Sequence, residues 1–179
     1  DTEWLCIIEH DCLYTAEHLT YQPMGDPSTF YYNANHWLVQ WHGNHPELEG
    51  MYSYWPHRVA TSQLICRADN LRASTREIMD LIEMGMKLKP GLRWHGEPGT
   101  VDYEEYLKYQ GAVLAASGKP AHWHKPLHDY LSKWHYEHFH TEKPNLDIRH
   151  GTNFTGTKRG RSRCWELAPW GKLEDIISA

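Results

Sequence analysis

The sequence predicts an α/β domain in which a mixed β-sheet is flanked by helices. Three short runs of apolar, aromatic and β-branched residues have the composition of strands, and they cover residues 4–8, 30–41 and 145–150. Between the second and third runs, apolar residues recur at helical spacing, and Pro or Gly residues stand at the segment ends. At 179 residues the chain is long enough for a core of its own, so we expect a single domain over residues 1–179.

The first strand is predicted to end at two acidic residues. The apolar run "WLCII" is followed directly by Glu9, His10 and Asp11. In an extended chain residues i and i+2 point to the same side, so Glu9 and Asp11 would aim both carboxylates at one point. Paired carboxylates suit a hard cation such as Mn²⁺ or Mg²⁺, which takes its remaining ligands from water and phosphate oxygens. The alternative is a solvated strand end with a turn-forming Asp.

The other strands are predicted from their aromatic and β-branched composition. Residues 30–41, "FYYNANHWLVQW", predict one or two strands with a break near residues 33–35. Residues 145–150, "NLDIRH", predict a final short strand, after which residues 151–163 form a basic loop rich in Gly and Thr.

Four helices are predicted between and around these strands. Thr61 or Ser62 is a candidate cap for the first helix, and Pro90 with Gly91 ends the second. Apolar residues at helical spacing support the second and the fourth. The predicted helices cover residues 63–73, 76–88, 102–118 and 126–140.

Three sequence motifs occur in order along the chain. They are "EHDCLY" at residues 9–14, "FYYNANHW" at residues 30–37 and "PNLDIRHGTNFTG" at residues 144–156. Together they resemble a group of bacterial and phage glycosyltransferase-like proteins of the GT-A fold. In that fold a DxD-type motif ends a central strand and holds the metal that bridges the two phosphates of a sugar nucleotide. The resemblance spans most of the chain, with residues 42–125 matching weakly.

The resemblance implies a metal site and a reaction. Glu9 and Asp11 would stand at the DxD position, with Glu in place of the first Asp, and His150 in "DIRHG" would be the third ligand of Mn²⁺ or Mg²⁺. The implied activity is transfer of a sugar from a nucleotide-sugar donor to an acceptor, which would be a glycan, a small molecule or a modified nucleic acid.

The resemblance also departs from the family in one respect. GT-A domains begin with a βαβ-type nucleotide-binding half ahead of the DxD strand, and that half has no counterpart in this sequence. The resemblance therefore implies the carboxyl-terminal half of a larger enzyme, a partner chain that supplies the missing half, or a chain that has lost sugar-nucleotide chemistry.

An inverting transferase needs a further carboxylate that deprotonates the acceptor hydroxyl. Glu97, in a loop that contains Gly and Pro, and Asp102, at a predicted helix start, are the candidates for this catalytic base. Each has a structural alternative, because Asp102 also fits a helix cap and Glu97 an ordinary loop acid. An enzyme that retains configuration would require no such base.

The predicted basic loop after His150 has the residue types that bind a diphosphate. Guanidinium groups, a lysine and polar donors all favour phosphate oxygens, and glycines permit close backbone approach. The candidate donor-binding residues are Asn153, Thr155, Lys158, Arg159, Arg161 and Arg163. The alternatives are a solvated basic loop and a patch that contacts nucleic acid.

Histidines are concentrated near the fourth predicted helix. Among them, His124 and His128 form an i,i+4 pair that suits a zinc ion. This pattern supports a second hypothesis, a zinc-dependent hydrolase that uses the histidines of residues 122–140. The interleaved aromatic residues favour instead a half-buried aromatic surface. A third hypothesis is a non-catalytic module that binds a glycan or a nucleic acid.

Composition bears on the location and the partners of the chain. The net charge is −5 with neutral histidines, so it indicates no general attraction to nucleic acids or membrane surfaces. The four cysteines show no CxxC spacing, which favours free thiols in a reducing compartment, and we predict a cytoplasmic protein. We expect neither a membrane span nor a signal peptide from the apolar runs.

Overall fold

The computed structural model describes residues 3–40, 50–54, 59–83, 124–149, 162–172 and 175. These residues form an α/β architecture with mixed strand pairing, which confirms the predicted class at this coarse level. The strands are β1 Trp4–Cys6, β2 Cys12–Leu13, β3 Phe30–Asn33, β4 His36–Gln40, β5 Tyr52–Tyr54, β6 Leu64–Arg67, β7 Tyr136–Phe139, β8 Asn145–Arg149 and β9 Ser162–Cys164. The helices are α1 Ala16–Leu19, α2 Ala68–Glu83 and α3 His124–Lys133, and a 3-10 turn covers Thr61–Gln63. The GT-A-like arrangement and the single domain stay predictions.

The described strands form two sheets. The first has the order β1-β6-β3-β7, and the second has the order β2-β8-β4-β5-β9. In the second sheet β4 and β8 run parallel, whereas β2 with β8, β4 with β5 and β5 with β9 are antiparallel. The chain leaves the first sheet for the second at three breaks: after β1, after β3 and after β7. The residues Glu9, His10 and Asp11 lie in the first of these breaks.

The chain divides into two compact units, each made of three segments. Unit 1 comprises Asp1–Leu5, Pro23–Tyr31 and Ile65–Glu137, and unit 2 comprises Cys6–Gln22, Tyr32–Leu64 and His138–Ala179. In unit 1 the buried hydroxyls of Ser74 on α2 and Tyr130 on α3 are 2.9 Å apart and share a hydrogen bond. Trp134, which follows α3, donates its indole N–H to Glu77 of α2 at 2.6 Å, so polar contacts join these two helices.

In unit 2 the five-stranded sheet has an apolar face and a polar face, because side chains alternate along each strand. The apolar face is a cluster of Val39, Tyr52 and Leu146, against which other apolar side chains pack: Leu13, Trp37, Cys164, Leu167 and Trp170. The polar face carries the buried side chains of Cys12, His36, Ser53, Asn145 and Asp147. The strand register places Asp147 directly opposite Cys12 on one side and Leu38 on the other.

Several predicted strands are confirmed. The break near residues 33–35 separates β3, which ends at Asn33, from β4, which begins at His36. The predicted strand over residues 145–150 corresponds to β8, although β9 follows it, so β8 is not the last strand. The first strand is shorter than predicted and ends at Cys6 instead of residue 8.

The predicted helix over residues 63–73 is wrong. Residues Leu64–Arg67 form strand β6, and one helix, Ala68–Glu83, replaces the two helices that were predicted. The side chains of Leu64, Ile65 and Cys66 are buried, and β6 pairs with β1 on one side and β3 on the other. A buried central position in a sheet favours strand geometry for such a run and overrides its local helical pattern.

The helix predicted over residues 126–140 is too long. Helix α3 ends at Lys133, and Tyr136–Phe139 forms β7. Aromatic and apolar residues that suit a helix face also suit a strand, so composition alone did not locate this boundary. The helix predicted over residues 102–118 lies outside the described residues.

None of the helices in the described part of the chain is long and apolar enough to cross a membrane. All four cysteines have free thiols: Cys12 and Cys66 are buried, and Cys6 and Cys164 are partly buried. The cytoplasmic location stays a prediction.

Candidate functional site

Glu9, Asp11 and Cys12 bring their side chains together in a tight turn, which we call the acid turn (residues 9–12). Each residue offers one ligand atom, and these atoms lie within 4.8 Å of one another. The Cys12 N–H donates to the Glu9 carbonyl at 3.3 Å. The two carboxylates thus converge as expected, but the predicted geometry was wrong. They lie in a turn between β1 and β2 instead of alternating along an extended strand.

Tyr14 contacts both ends of the acid turn. Its hydroxyl oxygen accepts a hydrogen bond from the Glu9 backbone N–H at 2.8 Å. The Cys12 thiol lies beside the same hydroxyl. Burial raises the pKa of Tyr14 above its ordinary value, so the hydroxyl is neutral at physiological pH. A neutral phenol that accepts the Glu9 N–H has its own proton to donate towards Cys12.

The chemistry of the acid turn fits a hard divalent cation. Glu9 is exposed and Asp11 is half-buried, so neither residue belongs to the core. Burial, followed by the negative charge of Asp147, raises the pKa of the Cys12 thiol to about 12. A protonated thiol is a poor metal ligand, which leaves two carboxylates as the donors. Oxygen donors of this kind suit Mg²⁺ or Mn²⁺ better than a soft metal.

Strand β8 holds the acid turn and the segment after it. The Ile148 N–H donates to the Asp11 carbonyl at 2.8 Å. One residue on, Cys12 pairs with Asp147 in the ladder between β2 and β8. Beyond β2, the Asn145 side-chain oxygen accepts from the Thr15 backbone N–H at 3.0 Å. The backbone of the acid turn is therefore fixed by β8 as well as by Tyr14.

The polar face supplies buried partners for these contacts. Asn145 donates its amide N–H to the Gln63 side chain at 2.7 Å, and its oxygen also accepts from the Thr15 hydroxyl at 3.3 Å. His36 Nε2 lies 3.6 Å from an oxygen of Asp147, and both side chains are buried. Thr15 in turn accepts from the His18 N–H at 3.3 Å and so caps helix α1.

His18 lies at the centre of an aromatic stack in unit 2. Its ring stacks on Tyr14 with centroids 5.4 Å apart and on Phe139 with centroids 5.8 Å apart. Asn33 Nδ2 lies 3.4 Å from Nδ1 of His18, and Cys6 Sγ lies 3.4 Å from Nε2. Burial, with a smaller effect of His36, lowers the pKa of His18 to about 4. His18 is therefore a neutral core residue at pH 7.

Several predicted site residues lie outside the described residues: Glu97, Asp102, His150, Asn153, Thr155, Lys158, Arg159 and Arg161. Arg163 is described and differs from the expectation, because it lies in strand β9 and not in a loop. Its side chain is exposed, and its register partner is Ser53 of β5. The structure thus extends the sheet into the end of the segment that was predicted to be a basic loop.

The predicted histidine cluster is only partly described. The backbones of His124 and His128 belong to α3, but their side chains lie outside the described part of the structure. His138 lies in strand β7, and His135 and His140 flank it, so these three do not share a helix. Among the described residues, the acid turn is the set of three potential ligands that converges, and these histidines are not part of it.

The residues around the acid turn were not predicted as site residues. Tertiary contacts fix the positions of these residues, and no spacing or motif in the sequence predicted those contacts. The residues are Tyr14, which is half-buried, and the buried His18, Asn33 and Asn145. One sequence signal could have indicated helix α1: Thr15 immediately precedes residues 16–19, and Thr at that position is typical of a helix cap.

No protein-family model matches this chain, and comparisons with curated proteins and with solved structures found no match either.

Proposed function

We propose that this chain transfers a sugar from a nucleotide-diphosphate sugar to an acceptor, with Mn²⁺ or Mg²⁺ held by Glu9 and Asp11. The supporting observation is the convergence of the two carboxylates within 4.8 Å, in a turn whose backbone is hydrogen-bonded to both Tyr14 and β8. A divalent cation that has only one or two protein carboxylates keeps coordination positions for phosphate oxygens. A converging pair of acids is therefore suited to a metal-bound diphosphate substrate.

His150 is the proposed third ligand. It lies outside the described residues, but the strand that precedes it supports the proposal. Strand β8 ends at Arg149, and its Ile148 is hydrogen-bonded to the backbone of Asp11. The chain immediately before His150 thus runs beside the acid turn.

The bound cation would supply Lewis-acid stabilisation of the departing diphosphate. The residues of the chain would bind the substrate and accept the proton. Glu9 and Asp11 would hold and orient the charged group, and the basic residues Lys158, Arg159 and Arg161 would contact the phosphates. Arg163 lies on β9, at the edge of the five-stranded sheet opposite β2, which is about four strand spacings, roughly 19 Å, from the strand that follows the acid turn, so Arg163 is not part of the proposed site. Glu97 or Asp102 would take the proton from the acceptor hydroxyl in an inverting reaction. Another segment or a partner chain would bind the nucleotide base.

Conservative substitution of the two acids tests this proposal. We expect Mn²⁺ with UDP or GDP to raise the melting temperature, and we expect Asp11→Asn to weaken Mn²⁺ binding at least about tenfold, because the loss of even an outer-shell group costs that much. Glu9→Gln should have a smaller effect, since Glu9 is exposed and Asp11 is half-buried. Calorimetric titration with Mn²⁺ measures both.

Two exposed acids on other elements provide matched controls. Asp129→Asn on α3 and Glu137→Gln on β7 make the same chemical changes and should leave Mn²⁺ binding unaltered. Equal weakening by the control variants would contradict the site. A Zn²⁺ response that disappears only in His124→Ala with His128→Ala would support the hydrolase instead, and no metal response would favour the binding module.

A further inference from the structure

Ser53 on the polar face of unit 2 has a buried hydroxyl that differs from those of the other buried serines. Ser53 is 1% exposed, and within the described part of the chain its Oγ atom has no hydrogen-bond partner. In contrast, the buried Ser74 shares a hydrogen bond with Tyr130, and the buried Ser62 accepts one from Gln63. A buried hydroxyl without a partner costs stability, because its hydrogen bonds to water are lost and nothing replaces them. A group retained at this cost points to a role in binding.

The strand register places a basic residue beside this hydroxyl. Arg163 of β9 lies directly opposite Ser53 of β5, and residues paired in this way project from the same face with Cβ atoms roughly 5 Å apart. Strand β9 is at the end of the sheet, and Arg163 is exposed. None of the ion pairs formed among the described residues involves Arg163. A ligand that enters past β9 would therefore meet the guanidinium group first and the Ser53 hydroxyl behind it.

The two groups favour an oxyanion. A guanidinium group has five N–H donors and no acceptor, and a serine hydroxyl adds one more donor. A phosphate group has enough oxygen atoms to accept two parallel hydrogen bonds from Arg163 and a third from Ser53. Because the hydroxyl is removed from water, its hydrogen bond to a charged oxygen is stronger than the same contact at the surface.

Trp165 adds an aromatic surface to the same edge of the sheet. Its side chain is 59% exposed, at the bend that directly follows β9. Trp165 stands two residues after Arg163, which corresponds to roughly 7 Å along an extended chain. In a nucleotide the phosphate and the base lie a comparable distance apart, on either side of the ribose. The planar base can stack on an indole ring, so a nucleotide suits this edge better than a bare phosphate.

We propose that Ser53 and Arg163 bind the phosphate group of a nucleotide at the β5–β9 edge of the sheet, and that Trp165 stacks on its base. The nucleotide is free in solution or belongs to a single-stranded nucleic acid, since both present the same phosphate and base. The inference does not depend on the proposed function, because this edge lies about four strand spacings, roughly 19 Å, from β2.

Calorimetric titration with inorganic phosphate and with AMP tests the inference. The titrations contain EDTA and no divalent cation, so the acid turn cannot hold a metal-bound nucleotide. We expect both ligands to bind, and AMP to bind more tightly. Ser53→Ala should weaken phosphate binding at least about tenfold, the effect of one hydrogen bond to a charged group, and Arg163→Gln should weaken it further. Trp165→Ala should weaken AMP binding about fivefold or more and leave phosphate binding unchanged.

Matched variants separate a binding role from a structural role. Ser74→Ala removes a buried hydroxyl that has a partner, so it should lower the free energy of unfolding and leave phosphate binding unaltered. Ser53→Ala should do the reverse, and weaken binding without loss of stability. Arg76→Gln removes an exposed arginine of α2 and should not affect binding. Arg163 and Trp165 are exposed, so their variants should fold normally.

Several results would overturn the inference. They are the absence of phosphate binding, equal binding by Ser53→Ala and the unsubstituted protein, or equal weakening by Arg76→Gln and Arg163→Gln. AMP that binds no more tightly than phosphate would overturn the assignment to a nucleotide. A short single-stranded oligonucleotide that binds more tightly than AMP would identify nucleic acid as the source, and equal affinity would identify the free nucleotide. Since no metal is present, failure here leaves the proposed function standing, and failure of Mn²⁺ binding leaves this inference standing.

Discussion

The two faces of the five-stranded sheet fill the interior of unit 2 in different ways. The apolar face is a cluster around Val39, Tyr52 and Leu146, and its stability comes from the apolar area removed from water. On the polar face, buried groups such as Asn145 and Asp147 must each find a partner, because an unsatisfied polar group in the interior is costly. The contacts that hold the acid turn and its neighbours come from the polar face and from the backbone of β8.

Stability alone does not explain the polar face. Burial of an ionisable pair such as His36 and Asp147 is often no better for stability than well-packed apolar side chains. The polar face does fix the strand register. A slip of one residue would turn Asn145 and Asp147 towards the apolar cluster and Leu146 towards the polar groups. Since the register of β2 and β8 also places the acid turn, the polar residues position the candidate site.

The largest expected effect is on the free energy of unfolding, and it is measured by comparing substitutions of Asn145 on the polar face and of its neighbour Leu146 on the apolar face. Asn145→Ala leaves the Thr15 N–H, the Thr15 hydroxyl and the Gln63 oxygen without this partner, and we expect a loss of about 3 to 5 kcal/mol in the free energy of unfolding. Leu146→Ala on the apolar face should cost about 2 to 5 kcal/mol through lost burial and a cavity. Denaturant unfolding measures both values.

Mn²⁺ binding then distinguishes the two faces. We expect Asn145→Ala to weaken Mn²⁺ binding by less than about tenfold, the cost of losing a group bonded to a ligand, because Asn145 holds Thr15, which follows β2, and does not contact Glu9 or Asp11 directly. Leu146→Ala should leave the affinity nearly unchanged. Both side chains are fully buried in one strand, so the pair is matched in position. Equal weakening in both variants would contradict a special role of the polar face and would indicate that general destabilisation loosens the acid turn.

A second effect concerns pH and the buried neutral His18. Its pKa is lowered from 6.5 to about 4 in the folded protein, so between these values the unfolded chain binds more protons than the folded one. The contribution of neutral His18 to the free energy of unfolding is therefore complete above pH 6.5 and is lost as the pH falls towards 4. At pH 4 the loss amounts to about 3 kcal/mol. Unfolding measured at several pH values between 4 and 7 checks this expectation.

The control for this pH dependence is a histidine on the surface. His18→Gln should lower stability at pH 7, because the stacking on Tyr14 and Phe139 is lost, but should flatten the pH dependence between 4 and 6.5. His140→Gln, at an exposed position, should retain the slope of the unsubstituted protein. A slope that persists in His18→Gln would assign the pH dependence to other groups.

The sequence predicted the strands whose local pattern and burial agree. The break between Asn33 and His36 was predicted because polar Asn residues interrupt an aromatic run, and β8 because its composition suits a strand. Strand β6 was not predicted, since the same apolar residues fit a helix face and only pairing with β1 and β3 decides between the two. Local pattern thus failed where tertiary pairing was decisive.

The candidate site, like the fold, was predicted only in part. Glu9 and Asp11 were expected to converge because they flank one residue, yet the structure achieves this with a turn closed by Tyr14. The supporting residues His18 and Asn145 could not be predicted. They are polar residues at buried positions, and their partners lie far away in sequence, as for Asn145 with Thr15.

The smallest expected effect lies at the edge of the polar face, at Ser53. Its hydroxyl is buried, and within the described part of the chain it has no hydrogen-bond partner. Ser53→Ala should therefore alter the free energy of unfolding by less than about 1 kcal/mol, in the direction of greater stability, because the desolvation cost of the hydroxyl is removed.

A second buried hydroxyl calibrates the Ser53 measurement. Thr141 accepts from Asn33 at 2.9 Å and donates to the Lys143 carbonyl at 2.7 Å, so Thr141→Val should cost about 1 to 3 kcal/mol. If Ser53→Ala cost as much as Thr141→Val, this would indicate that the Ser53 hydroxyl has a hydrogen-bond partner among the residues that the structure does not describe. The polar face would then extend beyond Asn145 and Asp147 towards Arg163, the register partner of Ser53. Because β8 and β4 lie between β2 and β5, such an extension would lengthen the polar face away from the acid turn and would leave the candidate site unchanged.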